Sequence, residues 1–274
     1  MAKIGIFDSG VGGLSVFREI RKVLPEESYI YYSDSANCPY GEKSQEAIIG
    51  RCRTITDFLL SEGADIIVVA CNTATAAAIK TLREEYDVKF IGMEPAIKPA
   101  AKTTRTGVVG VLATAGTLSS EKYLRHKEKY ASDIRIVEHV GEGFVELVEK
   151  GITSGPEAIS TVSHSLEPLL QAGADTIVLG CTHYPFLADA IKEAADMICS
   201  GTEINIIDPA PAIAKRLIEV MDEEGITYNS PCGRSSSEPS PENLQQIKPA
   251  TAYTVSLHTS GDMDILQKIY NTLT

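Results

Sequence analysis

Two cysteines, Cys71 and Cys181, each follow an apolar run, and each is followed by side chains that form hydrogen bonds. The first begins the sequence Cys-Asn-Thr (71–73), and the second begins Cys-Thr-His (181–183). A thiol between a strand and the start of a helix feels the positive end of the helix dipole, and such surroundings favour the reactive thiolate. A single free cysteine is often just a small buried apolar residue, but two in matching contexts predict a pair of acid–base groups.

An internal repeat links the two cysteines. Residues 60–73 (LSEGADIIVVACNT) align with residues 170–183 (LQAGADTIVLGCTH) at an offset of 110, and seven of the 14 positions are identical. An interval of this size matches a small domain rather than a solenoid repeat. The sequence therefore predicts two α/β units that place a cysteine at the same point of each sheet.

Two acid–base groups on opposite sides of a cleft suit a reaction whose substrate and product are mirror images. One group removes a proton from carbon and the other delivers a proton to the opposite face, so the pair works in both directions. A proton next to a carboxylate is weakly acidic, so hydrogen-bond donors must stabilise the charge that develops. Asn72, Thr73, Thr182 and His183 could supply those donors.

Two residues are candidates for assisting the thiols. Asp8 could relay protons for Cys71, or it could cap the helical segment that follows. His183 could relay protons for Cys181, or it could be a histidine satisfied within its turn. The sequence leaves both alternatives open.

The elements that must position these residues alternate between short apolar runs and longer stretches of helical periodicity. Such alternation is typical of βαβ units and parallel sheets. Predicted strands are 4–7, 29–33, 66–70, 89–92, 106–112, 134–138, 176–180, 204–207 and 253–257, and predicted helices include 14–24, 44–60, 117–130 and 156–170. Ligands of open α/β sheets bind beyond the carboxyl ends of the strands. The predicted fold class is α/β, with two pseudo-symmetric lobes, mainly parallel sheets and an active site in the cleft between them.

We expect the first lobe to contain residues 1–97 plus 209–274 and the second lobe to contain residues 98–208. Prolines in the segment 94–107 and the pair Asp208-Pro209 mark the two crossovers. The tail after residue 209 is too short for a lobe of its own, so we expect it to pack on the first. Residues 230–241 (SPCGRSSSEPSP) are expected to form a polar, exposed loop.

Charge and composition exclude several classes of protein. The chain of 274 residues carries 25 basic and 37 acidic side chains and a formal net charge of −12. That balance argues against nucleic-acid and anionic-membrane partners, which need clustered lysine and arginine. The sequence shows neither a signal-peptide pattern nor an apolar run of about 20 residues, so we expect a cytoplasmic protein.

The other four cysteines show no zinc-ligand spacing and no disulfide framework. We expect Cys38 and Cys52 to be bystanders, Cys199 to lie in the core and Cys232 to be exposed in the polar loop. A dinucleotide-binding alternative rests on the glycine-rich turn in residues 4–15. That turn lacks the third glycine of the fingerprint, and Asp8 just before it would repel a pyrophosphate.

Taken together, several motifs resemble a known family, the bacterial glutamate racemases within the cofactor-independent aspartate/glutamate racemases. The matching stretches are IGIFDSGVGGLSV (4–16), DSANCPYGEKS (34–44), VVACNTATA (68–76), GMEPAIKPA (92–100) and VLGCTHYPFL (178–187). The resemblance implies interconversion of L- and D-glutamate, which supplies D-glutamate for peptidoglycan. It also implies that no pyridoxal phosphate, metal or nucleotide takes part.

The resemblance further implies roles for individual residues. Cys71 and Cys181 would be the catalytic acid–base pair, with Asp8 and His183 assisting them. Glu149 matches a glutamate that the family places near the second cysteine and would be a further catalytic residue. Substrate-binding residues carried over by motif are Asp8, Ser9, Pro39, Tyr40, Gly41, Asn72, Thr73, Thr114, Thr117, Thr182 and His183.

Other functions remain possible at this level. A racemase for aspartate or a hydantoin would share the two-cysteine plan, and a two-lobed protein could bind an amino acid without chemistry. A third alternative, an inhibitor that mimics nucleic-acid charge, fits poorly because the acidic residues are spread along the chain. The expected partners are glutamate and a second copy of the chain in a homodimer.

Overall fold

A computed structural model describes residues 1–130, 132–199, 203–229 and 253–273. Cys232 and the predicted loop 230–241 lie outside the described residues. The strands are β1 (Lys3–Asp8), β2 (Ser28–Ser33), β3 (Ile66–Val69), β4 (Lys89–Gly92), β5 (Val108–Ala113), β6 (Arg135–Val140), β7 (Thr176–Gly180), β8 (Asn205–Ile207) and β9 (Val255–Thr259). Each one overlaps a predicted strand.

Helices connect most of these strands. They are α1 (Leu14–Val23), α2 (Gln45–Ser61), α3 (Asn72–Glu85), α4 (Ile97–Thr103), α5 (Ala115–Leu118), α6 (Glu121–Tyr130), α7 (Phe144–Glu149), α8 (Gly155–Gln171), α9 (Ala188–Ile198), α10 (Ala210–Glu223) and α11 (Met263–Asn271). Short 3₁₀ turns occupy Ser35–Asn37, Tyr40–Glu42 and Tyr184–Leu187.

The strands form two separate sheets. The first sheet has the order β4-β3-β1-β2-β9 and the second sheet has the order β6-β5-β7-β8. Every pairing in both sheets is parallel. Reading the second sheet backwards gives β8-β7-β5-β6, the same order as the first four strands of the first sheet. The α/β class with mainly parallel sheets is confirmed, and the shared order matches the internal repeat.

Burial on both faces explains the continuous apolar runs in the sequence. In β3, Ile66 and Val68 pack into the core cluster on one face, whereas Ile67 and Val69 pack into the cluster on the other. All four side chains are fully buried. Removing each one from water contributes about 1.5–3 kcal/mol to folding, so these short strands are strongly specified.

One core cluster extends under both sheets. It joins Ile6 and Val68 of the first sheet to Leu112 and Leu179 of the second. The C-terminal strand β9 pairs with β2 as the fifth strand of the first sheet, so the tail returns to that sheet as expected. The predicted lobe boundaries near residues 97 and 208 stay a prediction.

One predicted helix is broken in the structure. The predicted segment 117–130 is divided into α5 and α6, with Ser119 and Ser120 between them. Ser120 accepts a hydrogen bond from the backbone N–H of Tyr123 through its hydroxyl (3.2 Å), which caps a new helix. Serine competes well for helix starts, so the apolar periodicity continues while the helix does not.

Within the described ranges, no helix is long and apolar enough to cross a membrane.

Candidate active site

The predicted site residues meet at the carboxyl ends of the two sheets. Asp8 is the last residue of β1, and Cys71 lies just past β3 as the N-cap of α3. Thr114 directly follows β5, and Cys181 directly follows β7. Hydrogen bonds between Thr73 and Thr114 and between Thr182 and Asp8 bring the two groups of residues together.

Cys71 is buried and has two hydrogen-bond partners. Its Sγ accepts from the backbone N–H of Ala74 (3.4 Å) and donates to Ser9 Oγ (3.5 Å). Burial, together with the negative charge of Asp8, raises the pKa of the Cys71 thiol well above its usual value despite those two contacts. Cys181 also raises this pKa, so the two sulfurs are close enough to influence each other. At neutral pH, Cys71 is therefore a protonated thiol that can act as a proton donor.

Cys181 belongs to a chain of side chains that continues through His183 to Glu149. The Cys181 Sγ lies 3.7 Å from His183 Nδ1, and His183 Nε2 lies 2.6 Å from Glu149 Oε1. Burial alone would lower the pKa of His183, but its contacts with Cys181, Cys38 and Glu149 outweigh burial and raise that pKa well above its usual value. The ring is therefore positioned to exchange a proton with the thiol.

Glu149 is fixed from three directions. Besides His183, it accepts from the backbone N–H of Val11 (2.7 Å) and from Ser35 Oγ (3.1 Å). Burial would raise the pKa of Glu149, but the hydrogen bonds, chiefly the one from His183, lower it below its usual value. The carboxylate is thus a fixed negative partner for the imidazole.

The Asp8 side chain bonds the turn before α1, whose N-cap is Gly13, and its proton-relay role for Cys71 stays a prediction. Its Oδ2 accepts from the backbone N–H groups of Gly10 (3.1 Å) and Gly13 (3.0 Å), which closes the turn before α1. Its Oδ1 accepts from Thr182 Oγ1 (3.3 Å), a residue of the second cysteine motif. Full burial raises the pKa of Asp8, and His183 and the two backbone donors offset part of that shift.

Two positions of the turn between β1 and α1 must be glycine, because Glu149 and His183 pack against them. A Cβ on Gly12 would lie 2.3 Å from His183 Nδ1, and a Cβ on Gly10 would lie 2.0 Å from Glu149 Oε1. Ser15 Oγ, at the start of α1, donates to the backbone carbonyl of Thr182 (2.9 Å). The two sheets therefore meet through this turn.

Three hydroxyls cluster on the other side of the site. Thr73 Oγ1 lies 3.0 Å from Thr114 Oγ1 and 3.4 Å from Thr117 Oγ1, and the latter two are 3.1 Å apart. Thr73 lies in the first turn of α3, the helix that follows β3 of the first sheet, whereas Thr114 and Thr117 follow β5 of the second. Thr114 Oγ1 also accepts from the backbone N–H of Thr117 (3.3 Å), and hydroxyls that bond chiefly one another can turn toward a carboxylate.

Asn72 carries a buried side-chain donor without a partner among the described residues. Its Nδ2 has no solvent exposure and no hydrogen bond. A buried N–H left unpaired costs about 1–3 kcal/mol, so its place beside Cys71 indicates a group that is satisfied by a ligand.

The hydroxyl of Tyr40 is bound within the protein. It donates to Asp34 Oδ2 (2.6 Å), and Tyr40 and Arg51 together anchor the buried Asp34 carboxylate. The Tyr40 side chain therefore holds the loop, and its role in substrate binding stays a prediction. The backbone N–H groups of Tyr40 and Gly41 begin a 3₁₀ turn, whose first donors have no partner within the turn.

Grooves on either side of the loop give access to this region. One, of about 260 Å³, is lined by Pro39, Gly41 and Thr114, and another, of about 370 Å³, is lined by Gly41 and Thr73. A larger groove of about 620 Å³ runs along β4 and contains none of the predicted site residues. The chemistry of the side chains, not the size of the groove, locates the site.

Two residues near the site were not predicted to take part. Ser35 donates to Glu149, and Cys38, expected to be a bystander, lies within 4.8 Å of a Glu149 carboxylate oxygen and a His183 ring nitrogen. Both belong to the stretch 34–44 that carries the resemblance, but nothing in its local pattern shows that it reaches Glu149. Cys52 is buried in the core, and Cys199 is half-buried against it.

Comparison with known proteins agrees with this arrangement. A family model described as Asp/Glu/Hydantoin racemase matches residues 4–217. The chain belongs to the Asp/Glu/Hydantoin racemase family. The resemblance drawn from the sequence motifs is thereby confirmed.

Relatives in this family include several glutamate racemases. That of Pseudomonas syringae pv. tomato is 45% identical over 251 residues, which cover 90% of each chain. The crystal structure of a glutamate racemase isoform from Bacillus anthracis superimposes with a TM-score of 0.80 at 30% identity, covering 99% of this chain and 93% of its own. The structure of the Escherichia coli glutamate racemase, in complex with L-glutamate and the activator UDP-MurNAc-Ala, gives a TM-score of 0.74 at 32% identity and covers 94% and 98%.

Proposed function

We propose that this protein is an enzyme that interconverts L- and D-glutamate with two cysteines and so supplies D-glutamate for peptidoglycan synthesis. One observation carries the proposal. Cys71 and Cys181 occupy equivalent positions after β3 and β7, and hydrogen bonds tie Thr182, the neighbour of Cys181, to Ser15 and to Asp8 of the sheet that precedes Cys71. The names of relatives at 45% identity or more supply the substrate.

In the proposed mechanism each cysteine faces one side of the α-carbon. A thiolate on one side removes the α-proton, and the thiol on the other side protonates the planar carbanion from its own face. The product has the opposite configuration, and the two sulfurs have exchanged protonation states. The reverse reaction then starts from the other cysteine.

The surroundings of each sulfur allow it to return to its starting protonation state. Cys181 is in contact with His183, whose ring can take up or return the sulfur's proton while Glu149 holds the ring in place. Cys71 is in contact with Ser9 and lies within the field of Asp8. The negative charge of Asp8 favours the protonated form of Cys71, and a substrate ammonium group bound nearby would offset that charge.

The substrate carboxylates require donors in a water-poor pocket. We assign this role to the hydroxyls of Thr73, Thr114 and Thr117, to the unpaired amide of Asn72 and to the backbone of Gly41. Burial of Cys71 and Cys181, at 5% and 8% exposure, keeps water from protonating the carbanion.

We also propose that the protein acts in the cytoplasm as a homodimer. The acidic excess of the chain is compatible with that location. Light scattering coupled to size-exclusion chromatography tests the dimer. A mass near 29.5 kDa, that of a single chain, would contradict it.

The decisive experiment is circular dichroism of the metal-free, cofactor-free protein with L-glutamate and, separately, with D-glutamate. We expect both solutions to relax to zero ellipticity and Cys71→Ser and Cys181→Ser to lose this activity. Cys199→Ser is the matched control, because that half-buried cysteine lies away from the site.

Two results would contradict the proposal. If aspartate racemises and glutamate does not, the mechanism stands with a different substrate. If glutamate binds but neither enantiomer changes, the protein is a two-lobed binder without chemistry.

A further inference from the structure

We infer that Cys38, Glu149 and His183 form a binding site for a zinc-class divalent cation, and that a cation bound there switches the enzyme off. The Cys38 sulfur, a Glu149 carboxylate oxygen and a His183 ring nitrogen all lie within 4.8 Å of one another. The binding half of this inference stands alone, whereas the inhibitory half rests on the proposed function.

The spacing of the three donor atoms is close to what an ion requires. Zinc binds sulfur at about 2.3 Å, imidazole nitrogen at about 2.0–2.1 Å and carboxylate oxygen at about 2.0–2.2 Å. In a tetrahedral site these lengths put neighbouring donors roughly 3–4 Å apart. The sulfur, within 4.8 Å of the other two donors, therefore has to approach by no more than about 1 Å, and the nitrogen and oxygen, now 2.6 Å apart, have to separate slightly.

The donor types select the ion. Thiolate and imidazole favour zinc and its relatives, whereas magnesium and calcium prefer sites made only of oxygen. Three protein ligands leave a fourth tetrahedral position open to water or to an incoming group. A thiophilic divalent cation such as Zn²⁺, Co²⁺ or Cd²⁺ fits this set.

The residues that would orient the metal ligands already form hydrogen bonds with them. Hydrogen bonds from Ser35 and the backbone of Val11 orient the Glu149 carboxylate, and such outer contacts are typical of metal sites. The His183 Nδ1 is turned toward Cys181, which leaves Nε2, on the Glu149 side, as the metal-binding atom.

The loop that carries Cys38 is held on both sides. Asn37 Nδ2 donates to Asp34 Oδ1 (3.1 Å) just before Cys38, and Tyr40 donates to the same carboxylate just after it. Cys38 is half-buried, and the Glu149 side chain is 19% exposed, so an ion can reach the cluster from solvent.

Metal binding and catalysis would compete for the same groups. The cation replaces the thiol proton of Cys38 and binds the Nε2 lone pair of His183, and the displaced proton passes to the buffer. The new bonds are S–metal, N–metal and O–metal, and no electron is transferred. With Nε2 bound to the cation, the ring keeps its proton on Nδ1 and can no longer take up the proton of Cys181.

The test uses the full-length protein stripped of metal and titrated with chelator-buffered ZnCl₂. We expect racemisation to fall as free Zn²⁺ rises and to return after EDTA. Cys38→Ser should need at least about ten times more zinc for half inhibition, each variant being compared with its own metal-free rate. Cys199→Ser should behave like the unchanged protein, because it removes a partly exposed thiol elsewhere.

Two further measurements do not depend on activity. Co²⁺ should give a thiolate charge-transfer band in the unchanged protein and in Cys199→Ser, but not in Cys38→Ser. Zn²⁺ should slow alkylation of Cys38 by iodoacetamide in the unchanged protein, as measured by peptide mass spectrometry. This second measurement needs no variant to fold.

The outcomes separate the two proposals. A Cys38-dependent cobalt band in a protein that does not racemise glutamate would support the metal site and overturn the proposed function. Racemisation with equal zinc sensitivity in Cys38→Ser, or no protection of Cys38, would overturn the metal site and leave the racemase standing.

Discussion

His183 Nε2 and Glu149 Oε1 lie 2.6 Å apart, and this contact ties α7 to the second cysteine motif. The ring of His183 is buried, at 2% exposure, while the other ring nitrogen contacts Cys181. Glu149 thus acts on Cys181 only through the imidazole. It is a positioning residue in the proposed mechanism.

Glu149→Gln should lower kcat with little change in KM, because the amide keeps the shape but loses the charge that holds the imidazole. A hydrogen bond to a charged group contributes about 1.5–3 kcal/mol, which corresponds to about a 10- to 160-fold loss in rate. Steady-state kinetics in both directions measures it. Glu146→Gln, on the same helix, is the control, and an equal loss there would mean that α7 itself had been disturbed.

Gly12→Ala should abolish most of the activity without unfolding the protein. The new Cβ would lie 2.3 Å from His183 Nδ1, so the ring has to move away from Cys181. We expect at least about a 100-fold loss, since small displacements of catalytic groups have such effects. Gly50→Ala is the matched control, because nothing lies within 4 Å of its Cβ and helical alanine is favoured. Equal activity of the two variants would contradict the geometry.

Thr114→Val should raise KM for glutamate by up to about 10-fold and leave kcat nearly unchanged. The substitution removes one hydroxyl of the Thr73–Thr114–Thr117 cluster. A hydrogen bond to a charged group such as a carboxylate contributes about 1.5–3 kcal/mol, and the lower end of that range corresponds to about 10-fold. Thr54→Val serves as the control, because its hydroxyl bonds only its own helix. A fall in kcat alone would show that this cluster does not hold the substrate's ground state.

Asp34→Asn should destabilise the fold in a pH-dependent way. Burial would raise the pKa of Asp34, but hydrogen bonds, first of all from Arg51, outweigh it and lower the pKa below its usual value. A lowered pKa stabilises the folded state above the unfolded value of about 3.9 and stops doing so as pH falls through the folded value.

The free energy of unfolding should therefore drop by about 1.5–3 kcal/mol in Asp34→Asn at pH 7. That difference should shrink only below about pH 4. Arg51 is 30% exposed, so solvent screens part of the loss. Urea titrations at pH 3, 5 and 7 measure the difference, with Asp189→Asn, whose side chain is 96% exposed, as the control. A difference that grew toward low pH would reverse the sign and refute this assignment.

The single-cysteine variants should exchange the α-proton of opposite enantiomers. In D₂O, Cys71→Ser retains only Cys181, which can deprotonate one enantiomer and, once its S–H has exchanged, return deuterium to the same face. Cys181→Ser should label the other enantiomer. Proton NMR followed by chiral separation shows which one is labelled. Labelling of the same enantiomer by both variants would exclude a two-sided mechanism.

The sequence could predict the parts of this fold that local patterns control. Apolar runs buried on both faces marked strands such as β3, and the repeat placed Cys71 and Cys181 at equivalent strand ends. Periodicity failed at Ser119 and Ser120, where a capping hydroxyl outcompetes a continuous helix.

Contacts between distant segments could not be predicted in the same way. Ser35 and Glu149 are separated by 114 residues, and their hydrogen bond exists only because the two sheets meet at their carboxyl ends. The same holds for Cys38 beside His183. The motif resemblance predicted that Glu149 lies near the second cysteine, but only the three-dimensional arrangement shows that Glu149 contacts the imidazole of His183.

Thermodynamics limits how the different surroundings of the two sulfurs can affect the kinetics of the two enantiomers. Cys71 lies by Ser9 and Asp8, whereas Cys181 lies by His183 and Glu149. Enantiomers have equal free energy in water, so the equilibrium constant of a racemase is one. The ratio kcat/KM must then be identical for the two hands of the substrate. The chemical asymmetry of this site can only appear as faster turnover and weaker apparent binding of one hand, in compensating proportion.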